Sequence, residues 1–213
     1  MDVAGNGALA EVLELCPVVP VLVVSEPDAA VGLGRALVAG GLSVLEVTLR
    51  TPGALTCIAA MADAIDGAAI GAGTVLTAAQ LAEARDAGAR FAVSPGSTPD
   101  LLAAAALSSL PLLPGAATAS EAMRLLEVGY VFQKFFPAEA SGGIAALKGI
   151  AAPLPQIRFC PTGGVTAANA AAYLALPNVV CVGGTWVASA EQVRQRDWAA
   201  IEANAREAAK LVA

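Results

Sequence analysis

Apolar runs of strand length alternate with amphipathic, alanine-rich stretches along almost the whole chain. A short leading helix is predicted over Ala8–Leu15 and is stopped by Pro17. Val18–Val24 reads as a strand rich in β-branched residues, followed by a helix from Asp28 to Gly40 that ends on Gly40-Gly41. A second strand, Val44–Leu49, leads to a helix with Pro52 in its first turn, running to about Asp66. Ala69–Val75 is a strand, and Thr77 caps a helix ending near Gly88. Phe91–Ser94 is a strand closed by Pro95-Gly96, and Thr98 caps the next helix with Pro99 in its first turn. Leu112-Leu113 is a short strand ending in Pro114-Gly115, and Ser120–Gly129 is helical. Tyr130–Phe136 is a strand, with a helix over Gly143–Ile150. Ile157–Pro161 and a helix over Thr166–Leu176 follow, then a last strand at Val179–Val182 and a final amphipathic helix over Trp198–Val212.

Strands alternating with helices imply βαβ units and a parallel sheet. Strands covered on both faces read as nearly continuous apolar runs, as these do. Eight such units in a chain of about 200 residues match a (β/α)8 TIM barrel, of the α/β class, with a short N-terminal leading helix. An open doubly wound sheet is the alternative. No linker or composition shift divides the chain, so residues 1–213 are read as one domain.

Composition narrows the function. The chain is 57% hydrophobic and carries a net charge of −6, which excludes the basic footprint of a nucleic-acid binder. It also gives no case for an anionic membrane surface. The uncharged stretches Leu101–Ser120 and Phe159–Ala190 are both broken by prolines and glycines, so neither reads as a membrane span. The Met1-Asp2 start lacks a basic region followed by an apolar core, so no signal peptide is read and a cytoplasmic protein is expected. Cys16, Cys57, Cys160 and Cys181 form no CxxC pair and read as small buried hydrophobes. There is no histidine, which removes His-dependent triads, His-ligated zinc and a histidine base together. Proton transfer is left to carboxylates, lysine, tyrosine or water.

The residues that break the apolar pattern fall near strand C-termini, where barrel enzymes place their chemistry. Lys134 stands inside Val131-Phe132-Gln133-Lys134-Phe135-Phe136-Pro137-Ala138-Glu139, an otherwise apolar strand. Desolvation disfavours an ammonium and turns it into a usable amine nucleophile, the requirement of Schiff-base chemistry. A strand-end lysine reaching to solvent is the plainer alternative. Phe132 and Phe136 share the face of Lys134, while Gln133 and Phe135 face the helices. On the second strand Val44, Glu46, Thr48 and Arg50 share the inward face, opposite Leu45, Val47 and Leu49. Glu46 is then a buried carboxylate that needs a partner, Lys134 or Arg50, with or without a catalytic duty. Gly71-Ala72-Gly73-Thr74, Ser94-Pro95-Gly96 and Pro114-Gly115 are turn or mouth-lining residues. Gly163-Gly164 and Gly183-Gly184-Thr185 follow the last two strands, where such barrels frequently bind phosphate. The stretch Phe159–Ala190 contains no cation, so neutral amides, helix dipoles and the Thr162 or Thr185 hydroxyls would hold that phosphate. A buried amine, a carboxylate, Arg50 with Thr74 for a second carboxylate, and a phosphate cradle together describe a site for a phosphorylated keto acid.

With these segments in place, the chain resembles the 2-keto-3-deoxy-6-phosphogluconate (KDPG) aldolase and 4-hydroxy-2-oxoglutarate aldolase family. The matching pieces include Glu46-Val47-Thr48-Leu49-Arg50, Gly71-Ala72-Gly73-Thr74, Lys134-Phe135-Phe136-Pro137-Ala138-Glu139 and Arg158-Phe159-Cys160-Pro161-Thr162-Gly163-Gly164, in family order. The resemblance implies a homotrimeric, cofactor-free and metal-free class I aldolase of Entner–Doudoroff carbohydrate metabolism. It implies cleavage of KDPG to pyruvate and glyceraldehyde 3-phosphate, and of 4-hydroxy-2-oxoglutarate in many members. Carried onto this chain, Lys134 forms the Schiff base and Glu46 is the acid/base. Arg50 and Thr74 bind the pyruvyl carboxylate, while Pro95 and Phe136 line the pocket. Thr162, Gly163, Gly164, Gly184 and Thr185 form the phosphate side. Thr185 stands where relatives often carry serine. The first strand lacks the arginine of galactonate-type enzymes, which leans toward the gluconate substrate. A phosphate-binding isomerase using Lys134 only electrostatically, or a non-catalytic sugar-acid binder, stays open from the residues alone.

Overall fold

Residues 5–211 are described in the computed structural model; the Met1-Asp2 start and the expected helix end at Val212 lie outside them. The first half runs α1 (Asn6–Leu13), β1 (Val18–Leu22), α2 (Pro27–Ala39), β2 (Val44–Thr48), α3 (Ala54–Ala64), β3 (Ala69–Gly73), α4 (Ala78–Asp86) and β4 (Phe91–Val93). The second half runs α5 (Pro99–Ala106), β5 (Leu112–Leu113), β6 (Gly115–Ala116), α6 (Ala119–Glu127), β7 (Phe132–Phe135), α7 (Gly143–Ala151) and β8 (Arg158–Pro161). It ends with α8 (Ala170–Leu174), β9 (Val182–Gly184), α9 (Ala190–Gln195) and α10 (Trp198–Ala209).

The strands form a curled, parallel half-barrel in an α/β fold. One sheet has the order β5-β4-β3-β2-β1-β9, and a second has the order β6-β7-β8. Leu112 and Leu113 pair with β4, while Gly115 and Ala116, just past Pro114, pair with β7. Pro114 offers no amide to either neighbour, which divides one passage of chain into two very short strands. Two parallel bridges, Phe159 to Val179 and Thr162 to Gly183, connect the β8 passage with the last strand. The partner offset grows by one residue between those bridges, so the last passage carries a bulge before β9.

Threonine begins three of the helices for one physical reason. The hydroxyls of Thr77, Thr98 and Thr118 each accept a backbone N–H of the first turn. Thr118 and Glu121 complete a reciprocal capping box. The two sides of β2 divide as its alternation predicts. Leu45 reaches the gap left by Gly34 of α2, beside Met61 of α3 and Ile65, while Glu46 turns to the concave side. At Gly34 a methyl group would lie 2.4 Å from Ile65, so glycine lets α2 approach. At β3 the Phe91 ring fills the space above Gly71.

Several boundaries differ from the sequence expectation. Pro52 precedes α3, which starts at Ala54, because the chain first makes a turn in which Thr51 donates to the Val24 carbonyl. The helix expected over Thr166–Leu176 shrinks to Ala170–Leu174. The Asn169 side chain accepts the Thr166 amide and donates to the Gly164 carbonyl, which satisfies this backbone without a helix. Gly183 and Gly184 belong to β9, not to the loop after it, because the bulge shifts the paired stretch toward the C-terminus. The unexpected α9 starts with a Ser189–Gln192 capping box.

Candidate active site

Lys134 lies on β7, a strand whose four residues are all buried. Its ammonium donates to Glu46 Oε1 at 3.3 Å, and the two side chains are 6% and 4% exposed. Of the partners open to Glu46, the structure therefore joins it to Lys134. The contact exceeds the roughly 2.7–2.9 Å of a tight charge-assisted bond, so the pair is close without being locked. Glu46 has a slot made by an absence: a methyl group on Gly73 would stand 2.2 Å from its Oε1. The second glycine of Gly71-Ala72-Gly73 thus makes room for the carboxylate.

The alternation on β7 is as expected. Gln133 points at the helices, donating to the carbonyls of Ala122 and Tyr130. Phe135 packs edge-on against Phe159 at a centroid distance of 6.3 Å. Lys134 Nζ sits 5.3 Å from the centre of the Phe136 ring, within cation–π range. Cys160 is the register partner of Lys134 on β8. The neighbouring Cys160 thiol, together with burial, pushes the Cys181 thiol well up. These two cysteines read from sequence as packing residues, and both are buried.

At the strand C-termini opens a cavity of about 460 Å³ whose lining includes Phe136, the ring that faces Lys134, but neither Lys134 nor Glu46 itself. Arg50, Phe136, Thr162, Gly163, Gly164, Gly184 and Thr185 all line it, as do Val21, Glu139 and Val165. Thr74 and Pro95 lie outside that lining. Thr74 reaches the cavity through Arg50, whose Nε donates to its hydroxyl at 3.4 Å. Thr74 holds φ at 58°, a left-handed conformation that a β-branched residue rarely takes and that costs roughly 1–3 kcal/mol. Pro95 packs its carbonyl where a side chain on Gly115 would stand.

The glycine loop turns its carbonyls onto partners outside the cavity. Gly163 and Gly164 have φ of 96° and 81°. The carbonyls of Thr162 and Gly163 accept the amides of Ala138 and Glu139, and Gly164 accepts Asn169. In a trans peptide the next amide points the opposite way. The amides of Gly164 and Val165 are thereby turned from those partners, and they donate to no acceptor among the described residues. Successive free amides make an anion-binding concavity. The helix that follows the loop, α8, has five residues and begins at Ala170. Among the described residues no group of three or more His, Cys, Asp or Glu is placed to hold a metal.

Glu139 and Tyr173 received no role from sequence. The buried Tyr173 hydroxyl donates to the Glu139 carboxylate, and burial together with that bond pushes the phenol well up. One phenol in the alanine run Ala170-Ala171-Ala172-Tyr173 was the available signal.

An amine and a carboxylate paired in the interior of a parallel α/β fold, beside a cavity at the strand C-termini, mark the class: a carbon–carbon lyase. A family model described as KDPG and KHG aldolase matches residues 9–204. The chain belongs to that family. It is 53% identical to the 2-dehydro-3-deoxy-phosphogluconate aldolase of Pseudoalteromonas atlantica over 192 residues, covering 90% of this chain and 89% of the other. It is 51% identical to the KHG/KDPG aldolase of Escherichia coli K12, covering 92% of each. A crystal structure of Legionella pneumophila KDPG aldolase, with pyruvate captured at low pH as a covalent carbinolamine intermediate, superposes with a TM-score of 0.92. That protein is 46% identical, with 94% of this chain and 98% of the other covered.

Removing one member of a buried ion pair leaves the other charge uncompensated. Lys134→Met is expected to lower the unfolding free energy at neutral pH by about 3–5 kcal/mol, as measured by urea denaturation. The double variant Lys134→Met/Glu46→Leu is expected to recover most of that loss, and a single variant as stable as the parent would contradict an ionised pair.

Proposed function

We propose that this chain is a class I aldolase that cleaves KDPG to pyruvate and glyceraldehyde 3-phosphate, and 4-hydroxy-2-oxoglutarate to pyruvate and glyoxylate. The buried Lys134–Glu46 contact at 3.3 Å carries this reading. Once Glu46 has taken a proton from the paired ammonium, Lys134 adds as the free amine to the C2 ketone and forms a carbinolamine, and loss of water gives the imine. The imine draws electrons from the C3–C4 bond as the C4 hydroxyl loses its proton, which releases the aldehyde and leaves an enamine. Protonation at C3 and hydrolysis then free pyruvate and restore the amine. Glu46, acting directly or through water, moves the protons. Arg50 and Thr74 hold the pyruvyl carboxylate, while Pro95 and Phe136 border the reacting end. The far phosphate lies against the free amides of the Gly163–Gly164 loop, with Thr162, Gly184 and Thr185 alongside. The carbinolamine in the Legionella relative supports the first step.

Residues 1–213 form one aldolase domain in this reading, without a cofactor. Its two sheets are parts of one closed (β/α)8 barrel, with Leu112–Ala116 as a single interrupted strand and the two isolated bridges as the seam. A homotrimer fits the family resemblance, and the apolar groove between α5 and α6 supports such assembly. Among the described residues no helix is long and apolar enough to cross a membrane. A place in the cytoplasm and in Entner–Doudoroff sugar-acid breakdown follows from the same reading.

Borohydride added in the presence of pyruvate is expected to leave a stable mass increment on the peptide containing Lys134. Failure to trap it, under conditions that trap a known imine enzyme, would sink the mechanism. Glu46→Gln is expected to keep the trapped adduct while turnover falls about 10²–10⁴-fold. For the phosphate end, Thr185→Asp is a cleaner probe than a change at Gly184, where a methyl group would strike the Trp186 ring. It is expected to raise KM for KDPG by about tenfold or more and to leave KM for 4-hydroxy-2-oxoglutarate nearly unchanged. Equal effects on both substrates would count against a phosphate site there.

A further inference from the structure

Four hydrogen bonds tie the outside of the Gly163–Gly164 loop. The Glu139 amide donates to the Gly163 carbonyl at 3.0 Å. The Glu139 carboxylate accepts the Tyr173 hydroxyl. Tyr173 stands one helical turn from Asn169, and its amide donates to the Asn169 carbonyl at 3.3 Å. Asn169 returns to the loop by donating from Nδ2 to the Gly164 carbonyl at 3.3 Å. The circuit is closed: loop, β7–α7 connection, α8 and loop again.

Its packing leaves little slack. The Cβ and Cγ of Glu139 lie in the space a side chain on Gly164 would occupy, each 2.6 Å from where its Cβ would stand. Across the circuit, a Cβ on Gly143 would stand 3.3 Å from the Tyr173 hydroxyl. Tyr173 itself is fully buried and lines no part of the cavity. Its hydroxyl is the polar end of a buried side chain and has an exposed carboxylate as its partner. Replacing the tyrosine by phenylalanine would keep the ring's packing and remove only this link.

We infer that Tyr173, through Glu139, is a positioning residue for the phosphate end of the substrate: it holds the Gly163–Gly164 loop so that the Gly164 and Val165 amides face the cavity. The circuit draws the loop carbonyls outward, and planar trans peptides then turn the following amides inward. Glu139 explains why a link is needed. It puts a carboxylate on the cavity wall, where a free side chain would compete for the same amides and repel a phosphate. Bonded to Tyr173, that carboxylate is held back. The inference rests on the proposed phosphate site and adds to it a residue that touches neither substrate nor reacting atoms.

Steady-state kinetics of the full chain with KDPG and with 4-hydroxy-2-oxoglutarate separate the possibilities. Tyr173→Phe is expected to raise KM for KDPG at least about fivefold, as loss of a hydrogen bond to a charged group would. Its kcat for KDPG, and both constants for the unphosphorylated substrate, are expected to stay within about twofold, since the reacting end is untouched. In a Glu139→Ala background, the same tyrosine change is expected to add nothing further, because its partner is gone. Equal changes on both substrates, no change on either, or an undiminished effect without Glu139 would overturn the positioning role. Thr185→Asp, measured in parallel, distinguishes the two failures. If it discriminates between the substrates and Tyr173→Phe does not, only the inference falls; if Thr185→Asp does not discriminate, the phosphate-site reading falls and takes the inference with it. Should Tyr173→Phe not fold, Asn169→Ala, at a half-buried position of the same circuit, is expected to show the same split, and a uniform effect there would overturn it.

Discussion

Burying an ammonium beside a carboxylate is the constraint on which the rest of this site depends. Both charges leave water, and their attraction rarely returns more than the desolvation costs. Such a pair is poor evidence for stability, and its surroundings here are arranged to tolerate it. Gly73 gives up its side chain so that Glu46 fits. Phe136 offers a ring face to the lysine. The helix-facing sides of β2 and β7 are packed with Leu45, Val47 and Phe135, so the strands carrying both charges are held without slack. A long 3.3 Å contact in rigid walls keeps the two groups adjacent and leaves each available to a third partner. A pair optimised for stability would be shorter and would use more of its hydrogen-bonding capacity.

From that pair the site divides into two ends with different physics. In the proposed reading, Arg50 with Thr74 offers a cationic, directional contact for a carboxylate. Toward Gly163, Gly164, Gly184 and Thr185 the same cavity is lined by glycines and hydroxyls, and in that reading backbone amides are the donors. Amides from a glycine turn are fixed by backbone geometry, so their alignment costs little side-chain entropy. The same geometry makes the loop dependent on whatever holds its carbonyls, which here are the β7–α7 connection and α8.

Much of this was legible in the chain because two strand rules apply strongly. Period-two alternation placed Glu46 and Lys134 on inward faces and Gln133 toward the helices, since a strand buried on both sides admits no other arrangement of a charged group. Threonine caps and prolines marked helix starts at Thr77 and Thr98, because those signals are local. Most of the misses are nonlocal. Pro114 divides a strand whose neighbours lie far off in sequence. The last strand slides because of a bulge that only its partner on β8 reveals. The α8 start is lost to an Asn169 side chain that satisfies the loop backbone instead. Tyr173 carries no sequence signal of its own role, since its partner Glu139 is 34 residues away.

Glycine, more than any charged residue, distinguishes the two ends. At Gly73 its absent side chain accommodates a carboxylate, and any larger residue would press on Glu46. At Gly163 and Gly164 the positive φ values supply a turn that exposes amides, and the space above Gly164 is taken by Glu139. At Gly183 a side chain would strike the Thr162 hydroxyl, so β9 and β8 approach closely behind the loop. One residue type thus serves charge burial, amide exposure and strand approach around a single cavity. In the proposed reaction the charged groups supply the chemistry, and the glycines determine whether those groups and a substrate fit in the same space.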